Sequence, residues 1–160
     1  MFREVMGLPA HALVVHAAVV FIPLLALVAT GYAVLPRFRA RLDWATAVLA
    51  VAAPVAAFAA TQSGEELREV LIEKNYPAEI IQKVNEHQAY GDRSFYWSVG
   101  LGVLALALLV VTSGHRRVPK SPRWLGLVLG AAVVVFAVLN VWFVFQTGDS
   151  GAQVVWQGVL

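Results

Sequence analysis

The chain contains no cysteine. That excludes disulfides, thiolate metal sites, attachment of a c-type haem and thiol chemistry. Charge is also scarce, and its distribution is more telling than its amount. Four stretches, 5–36, 44–64, 94–115 and 124–148, carry no Lys, Arg, Asp or Glu, so all twelve basic and all ten acidic residues fall between them or at the ends. There is no Gly-rich phosphate loop, no Walker lysine, no nucleophile elbow and no His-Glu-x-x-His pair. No catalytic constellation emerges, and the reading leans away from an enzyme. A charge-free middle in every apolar run also argues against an ion pump or a proton relay through a bilayer.

What is present is apolar sequence. Of 160 residues, 59% are hydrophobic. An apolar run of about 20 residues crosses a hydrocarbon layer of about 30 Å as a helix. Only helices and closed barrels satisfy every backbone group in lipid, and barrel strands would alternate apolar with polar residues, which these runs do not. The expected fold is all-α: an integral membrane four-helix bundle made of two helical hairpins, in a single domain. The spans are expected at about 14–35, 44–62, 94–113 and 124–146, with a short helical insert, 63–93, outside the membrane. The first segment reads as a span and not as a secretory signal, because Arg3 is offset by Glu4 and the apolar run far exceeds the length of a signal core. The net charge of +2 gives no reason to expect a nucleic-acid partner. The lipid bilayer is the partner the composition implies.

Loop charges set the expected orientation. Arg37, Arg39 and Arg41 lie in one short connection, and Arg116, Arg117, Lys120 and Arg123 in another. The positive-inside rule places both connections, 36–43 and 115–123, in the cytoplasm, with the N- and C-termini and the acidic insert outside, in the plasma (inner) membrane. Trp44, Trp97, Trp124, Trp142 and Trp156 fall near the expected interfaces, as aromatic belts do.

Several local signals refine this picture. Pro23 and Pro54 interrupt spans one and two. Ser63 and Glu66 have the spacing of a capping box for the first insert helix. Asn75-Tyr76-Pro77 reads as a turn, with Pro77 at the first position of a second insert helix that continues into span three. Ile80, Val84, His87 and Gly91 share one face of that helix. Gly126-x-x-x-Gly130 marks a close helix contact, inside the bundle or between copies of the chain, so a homo-oligomer is among the expected assemblies. Gln62-Ser63-Gly64-Glu65 and Gln146-Thr147-Gly148-Asp149 both read Gln, hydroxyl, Gly, acid. Each follows a hairpin with a basic turn, and each hairpin begins near a histidine (His11 or His16, then His87). Two parallel hairpins related by an axis along the membrane normal would give this pattern; ordinary helix-end chemistry is the plainer alternative.

At about 1.5 Å per helical residue above the basic turns, His16 stands ~31 Å up, Glu65 ~32 Å, Asp149 ~38 Å, His11 ~39 Å and His87 ~43 Å. All five gather at one interface. Three imidazoles and two carboxylates there would suit a transition metal such as Zn, Fe or Cu. His16 lies inside an apolar run and needs a polar partner; with His87 it is the leading cofactor ligand, and His11, Glu65 and Asp149 complete the candidate metal set. The competing cofactor is a b-type haem. His11 and His16 are five residues apart, about 140° around a helix, so they do not face each other across one iron and the second axial ligand would be His87. Each residue has a plainer alternative: a solvated or capping His11, a hydrogen-bonded His16 or His87, and Glu65 and Asp149 favouring helix ends. His115 reads as a solvated member of the basic cluster.

The run Gly7-Leu8-Pro9-Ala10-His11-Ala12-Leu13-Val14-Val15-His16 resembles the opening of a large family of small bacterial membrane proteins, domain of unknown function twenty-two thirty-one. The family opens His-Pro-x-x-x-His; here Ala12 replaces the proline and both histidines keep their spacing. Ala60-Thr61-Gln62-Ser63-Gly64-Glu65, His87-x-x-x-Gly91-Asp92 and Gly148-Asp149-Ser150-Gly151-Ala152-x-x-Val155-Trp156 resemble actinobacterial members. Many relatives have histidine where Asp149 stands. The resemblance implies a four-span fold. Fusions of relatives to Rieske-type or cytochrome c domains imply respiratory electron transfer, with a redox or respiratory membrane protein as partner. Three functions are therefore weighed: a metal- or haem-binding module at the outer face, a non-catalytic accessory or assembly subunit of a membrane complex, and a small transporter or sensor.

Overall fold

The computed structural model describes residues 4–5, 8–112 and 122–156. His115, Arg116, Arg117 and Lys120 of the second basic connection lie outside the described residues. Four helices make up the described chain: α1 (Ala10–Val34), α2 (Arg39–Glu73), α3 (Ala78–Thr112) and α4 (Arg123–Trp156). All four are long and apolar enough to cross a membrane, and the chain is a multi-pass membrane protein with an all-α fold. Two residue pairs, β1 (Glu4–Val5) and β2 (Leu8–Pro9), form a minimal antiparallel ladder ahead of α1.

The connections follow from local chemistry. Leu35, the residue before Pro36, is driven out of the helical region (φ −119°, ψ 74°), which ends α1. A single turn of tighter helix, Pro36–Phe38, leads into α2. Arg39 and Arg41 are consequently part of α2 and not of a loop. At the other end Asn75 adopts a left-handed φ of 55°, a conformation asparagine tolerates better than most residues. The Tyr76 amide donates to the Leu71 carbonyl and the Asn75 amide to that of Ile72, the paired bonds of a Schellman cap. Pro77 then stands just ahead of α3, its carbonyl accepting from the Ile80 and Ile81 amides.

No helix starts at Ser63. α2 runs unbroken from Arg39 to Glu73, and Ser63 is buried and donates to the Ala60 carbonyl one turn back. The capping-box spacing is therefore unused, because the amides it would satisfy already have helical partners. The region 63–93 is the far end of α2 and the near end of α3, joined by a tight turn. At about 1.5 Å per residue, these 35-residue helices extend about 50 Å, well past the hydrocarbon layer.

The helices form a ring in which α1 packs on α2, α2 on α3, α3 on α4, and α4 on α1, with α1 and α3 diagonal. The large side chains left outside, such as Leu27 (71% exposed) and Leu127 (74%), form the surface offered to lipid. The core is built mostly of alanine on α2, which lets the backbones approach closely. The tightest approach has a specific cause. Pro54 has no amide to give the Ala50 carbonyl, and Gly102 of α3 faces that oxygen; a Cβ on Gly102 would lie 2.5 Å from it.

Burial repeats along the chain. Ala18, Ile22, Leu25, Ala26, Ala29 and Tyr32 are buried in α1, and Ser94, Ser98, Leu101, Gly102, Ala105 and Leu108 in α3, each 76 positions later. Thr46, Ala50 and Ala53 in α2 have buried counterparts in Val133, Ala137 and Asn140 of α4, each 87 positions later. The two hairpins thus bury corresponding faces, as parallel repeats about an axis along the bundle do.

Candidate functional site

His11 stands in the first turn of α1. Its Nδ1 lies 3.0 Å from the Ala60 carbonyl oxygen and 3.2 Å from Ser63 Oγ, both on α2. A carbonyl oxygen only accepts, so Nδ1 carries the proton. Ser63 Oγ donates to the same carbonyl at 3.0 Å. Gly64 lets the ring lie flat on α2, since a Cβ there would come within 3.1 Å of His11 Cε1.

The second hairpin repeats this seat. His87 Nδ1 lies 3.1 Å from Ser150 Oγ on α4. Ser150 Oγ donates to the Thr147 carbonyl at 3.1 Å, so the hydroxyl oxygen accepts from the ring. A Cβ on Gly151 would stand 2.9 Å from His87 Cε1. Carbonyl, hydroxyl and glycine occupy 60, 63 and 64 on α2 and 147, 150 and 151 on α4, in the same register as the buried positions. The repeat read from Gln62-Ser63-Gly64-Glu65 and Gln146-Thr147-Gly148-Asp149 is therefore out of register by three residues. Ser63-Gly64 corresponds to Ser150-Gly151, a pairing already visible in the sequence as two Ser-Gly steps.

The two seats bring the rings together across the bundle axis, with centroids 6.2 Å apart and planes at 82°. Each Nδ1 is committed to its neighbouring helix, so in the neutral ring each Nε2 keeps an open lone pair. His87 lies in the stretch of α3 that carries Glu79, Lys83, Glu86, Asp92 and Arg93, beyond the apolar run. Burial pushes its imidazole below the ordinary histidine value, with the Thr147 carbonyl opposing more weakly, so it is neutral near pH 7. The rings border a largely aliphatic cavity of about 580 Å³. The exposed residues of its lining, including His16, Val19, Gly148 and Val155, all belong to α1 and α4, so it opens between those helices. One turn below Val144 in its floor, Asn140 is fully buried, and neither its Nδ2 nor its Oδ1 has a hydrogen-bond partner.

The other expected site residues do not join the pair. His16 is exposed at the cavity rim, and its Nδ1 bonds to the Ala12 carbonyl of its own helix at 2.6 Å. Five residues separate it from His11, so it points about 140° away. Glu65 is exposed, one residue round α2 from the Gly64 that faces the axis. Asp149 is exposed on α4 and accepts from Gln153 Nε2 at 2.8 Å. Among the described residues, no three His, Cys, Asp or Glu side chains gather as a metal cluster. Equal height did not bring the five together, because height fixes nothing about direction around a helix. The expected list also omitted Ser63, Gly64, Ser150 and Gly151, which hold the two imidazoles in place.

The chain belongs to the family described as predicted membrane protein, DUF2231, whose model matches residues 7–160. No curated protein and no solved structure matches it.

Proposed function

We propose that the cavity between His11 and His87 binds a b-type haem, and that the protein is a one-electron carrier of the plasma membrane. The observation that carries this reading is the pair of imidazoles, one from each hairpin, meeting across the axis with both Nδ1 atoms tied back. Tying back one ring nitrogen orients a histidine whose other nitrogen serves as a ligand. With their ring centroids 6.2 Å apart, His11 and His87 would hold the group between them. A bare Zn or Cu ion would want three or four protein ligands, whereas a haem would need only two from the chain, which His11 and His87 would supply. The apolar cavity suits a flat tetrapyrrole, and the absence of cysteine favours a non-covalent one.

When bound, the haem would supply one-electron transfer. The chain's own part is to hold two neutral imidazoles at fixed separation, exclude water with aliphatic walls, and leave an edge open between α1 and α4. With the basic connections in the cytoplasm, the site faces outward and its electron partner is a redox protein on that side.

A second reading rests on the hydrogen bonds themselves. His11 ties α1 to α2 and His87 ties α3 to α4, so the same residues would serve an accessory subunit as a structural knot. Hemin titration of the purified protein, followed by absorption spectroscopy, separates the two. The haem reading expects one hemin per chain, loss of binding in His11→Ala and in His87→Ala, and retention in His16→Ala. No saturable binding by the folded wild-type protein would leave the structural knot.

A further inference from the structure

At the opposite end of the bundle from the histidines lies a second cavity, about 690 Å³, bounded by the end of α1, the end of α3 and the start of α4. This volume is in the range of small-molecule sites, about 300–1,000 Å³. Gly126 and Gly130 line it. They make no close helix contact inside the bundle: a Cβ on Gly126 would find its nearest neighbour, Thr112 Cγ2, at 3.8 Å, and one on Gly130 would find Ala33 Cβ at 3.8 Å. The small residues therefore open a groove where larger ones would fill it. Its walls run onto the lipid-facing surface through Val34 (56% exposed) and Leu127 (74% exposed). Among the described residues its mouth carries two arginines. Arg39 is half-buried and gives its Nε–H to the Tyr32 carbonyl at 3.1 Å and one Nη2–H to the Ala33 carbonyl at 3.4 Å, which leaves three of its five N–H bonds for another acceptor. Arg123 is exposed at the start of α4, where the positive end of the helix dipole adds to its charge.

We propose that this cavity holds one anionic phospholipid drawn from the leaflet on the basic side, its phosphate between Arg39 and Arg123 and one acyl chain in the groove along Gly126 and Gly130. The charge at the mouth selects a phosphate, and the aliphatic walls that continue into the lipid surface select a molecule with a chain. A basic pocket between helices at a membrane surface takes anionic headgroups for the same reason. Free phosphate would leave the apolar groove uncovered.

The test is native mass spectrometry of the protein released from nanodiscs of phosphatidylcholine doped with phosphatidylglycerol. The wild-type protein is expected to keep one phosphatidylglycerol and to discriminate against phosphatidylcholine. Arg123→Gln should lower that retention by about fivefold, the factor that corresponds to about 1 kcal/mol for a basic side chain near an anionic surface. Gly126→Leu with Gly130→Leu should abolish it by filling the groove, while Arg93→Gln, at the histidine end, should leave it unchanged. Circular dichroism of each variant confirms folding, and Arg123→Gln is informative even if the Leu pair does not fold. Equal retention of both lipids, retention unaffected by Arg123→Gln in the folded protein, phosphate adducts without lipid, or a dimer in place of the lipid would each overturn the proposal.

Discussion

Gly151 is the closest fit in the site, because a Cβ there would come within 2.9 Å of the His87 ring. Gly151→Ala must push that imidazole off its seat. Where haem binding is measured, this should weaken it by tenfold or more, as losses in the shell behind a ligand do at roughly 10–100-fold; unchanged affinity would mean that the seat does not orient the ring. Asn140 poses the opposite case: a buried amide without partners, at the position where the first hairpin has Ala53. Removing an unsatisfied group offsets the small space left behind, so Asn140→Ala should keep thermal stability within about 1 kcal/mol of wild type. A larger loss in a melting experiment would reveal a bound water or ligand that the amide serves. The chemistry of His11 and His87 was legible in the sequence as residue type and height. The misplacement of His16, Glu65 and Asp149 was not, because a one- or five-residue offset turns a side chain about 100° or 140° around a helix without changing how the sequence reads.

Helices were the most legible level. Charge-free runs bounded by charged residues located all four, since neither lipid nor a helix core tolerates unpaired charge. The capping box at Ser63 and a close contact inside the bundle at Gly126/Gly130 are not found, because both motifs depend on what packs against them, and sequence spacing does not contain that. The close contact instead involves Gly102, whose neighbour is a carbonyl freed by Pro54. Gly102→Ala should destabilise the α2–α3 contact by about 1–3 kcal/mol, seen as a lower melting temperature in detergent, whereas Gly126→Ala should be close to neutral. The α3–α4 contact is expected to respond to pH through His87. Its value is depressed in the fold, so its contribution is fully present above the ordinary histidine value and is lost as pH falls through the lowered one. Acidification should lower the melting temperature, with a shallower dependence in His87→Ala; a dependence unchanged by that substitution would assign the effect elsewhere.

At the scale of the whole molecule, the organising feature is duplication. Two hairpins bury corresponding faces and present the same His, carbonyl, hydroxyl and glycine toward a common axis. In the sequence a repeat stands beside ordinary helix-end chemistry as one of two readings, and in a register three residues out, because Gln-hydroxyl-Gly-acid matches more closely by letter than Ser63-Gly64 and Ser150-Gly151 do by position. Only the partner helix shows which glycine carries a ring. The central claim, that the repeated hairpins bring the rings of His11 and His87 together, is open to direct measurement. The chain has four histidines, so selective 13C,15N-histidine labelling in bilayers gives a solid-state NMR spectrum of four rings, assignable by single substitutions. Ring-to-ring cross-peaks between His11 and His87, with none from either to His16, are the predicted result. Their absence in the folded protein, or cross-peaks joining His16 to His87 instead, would contradict it.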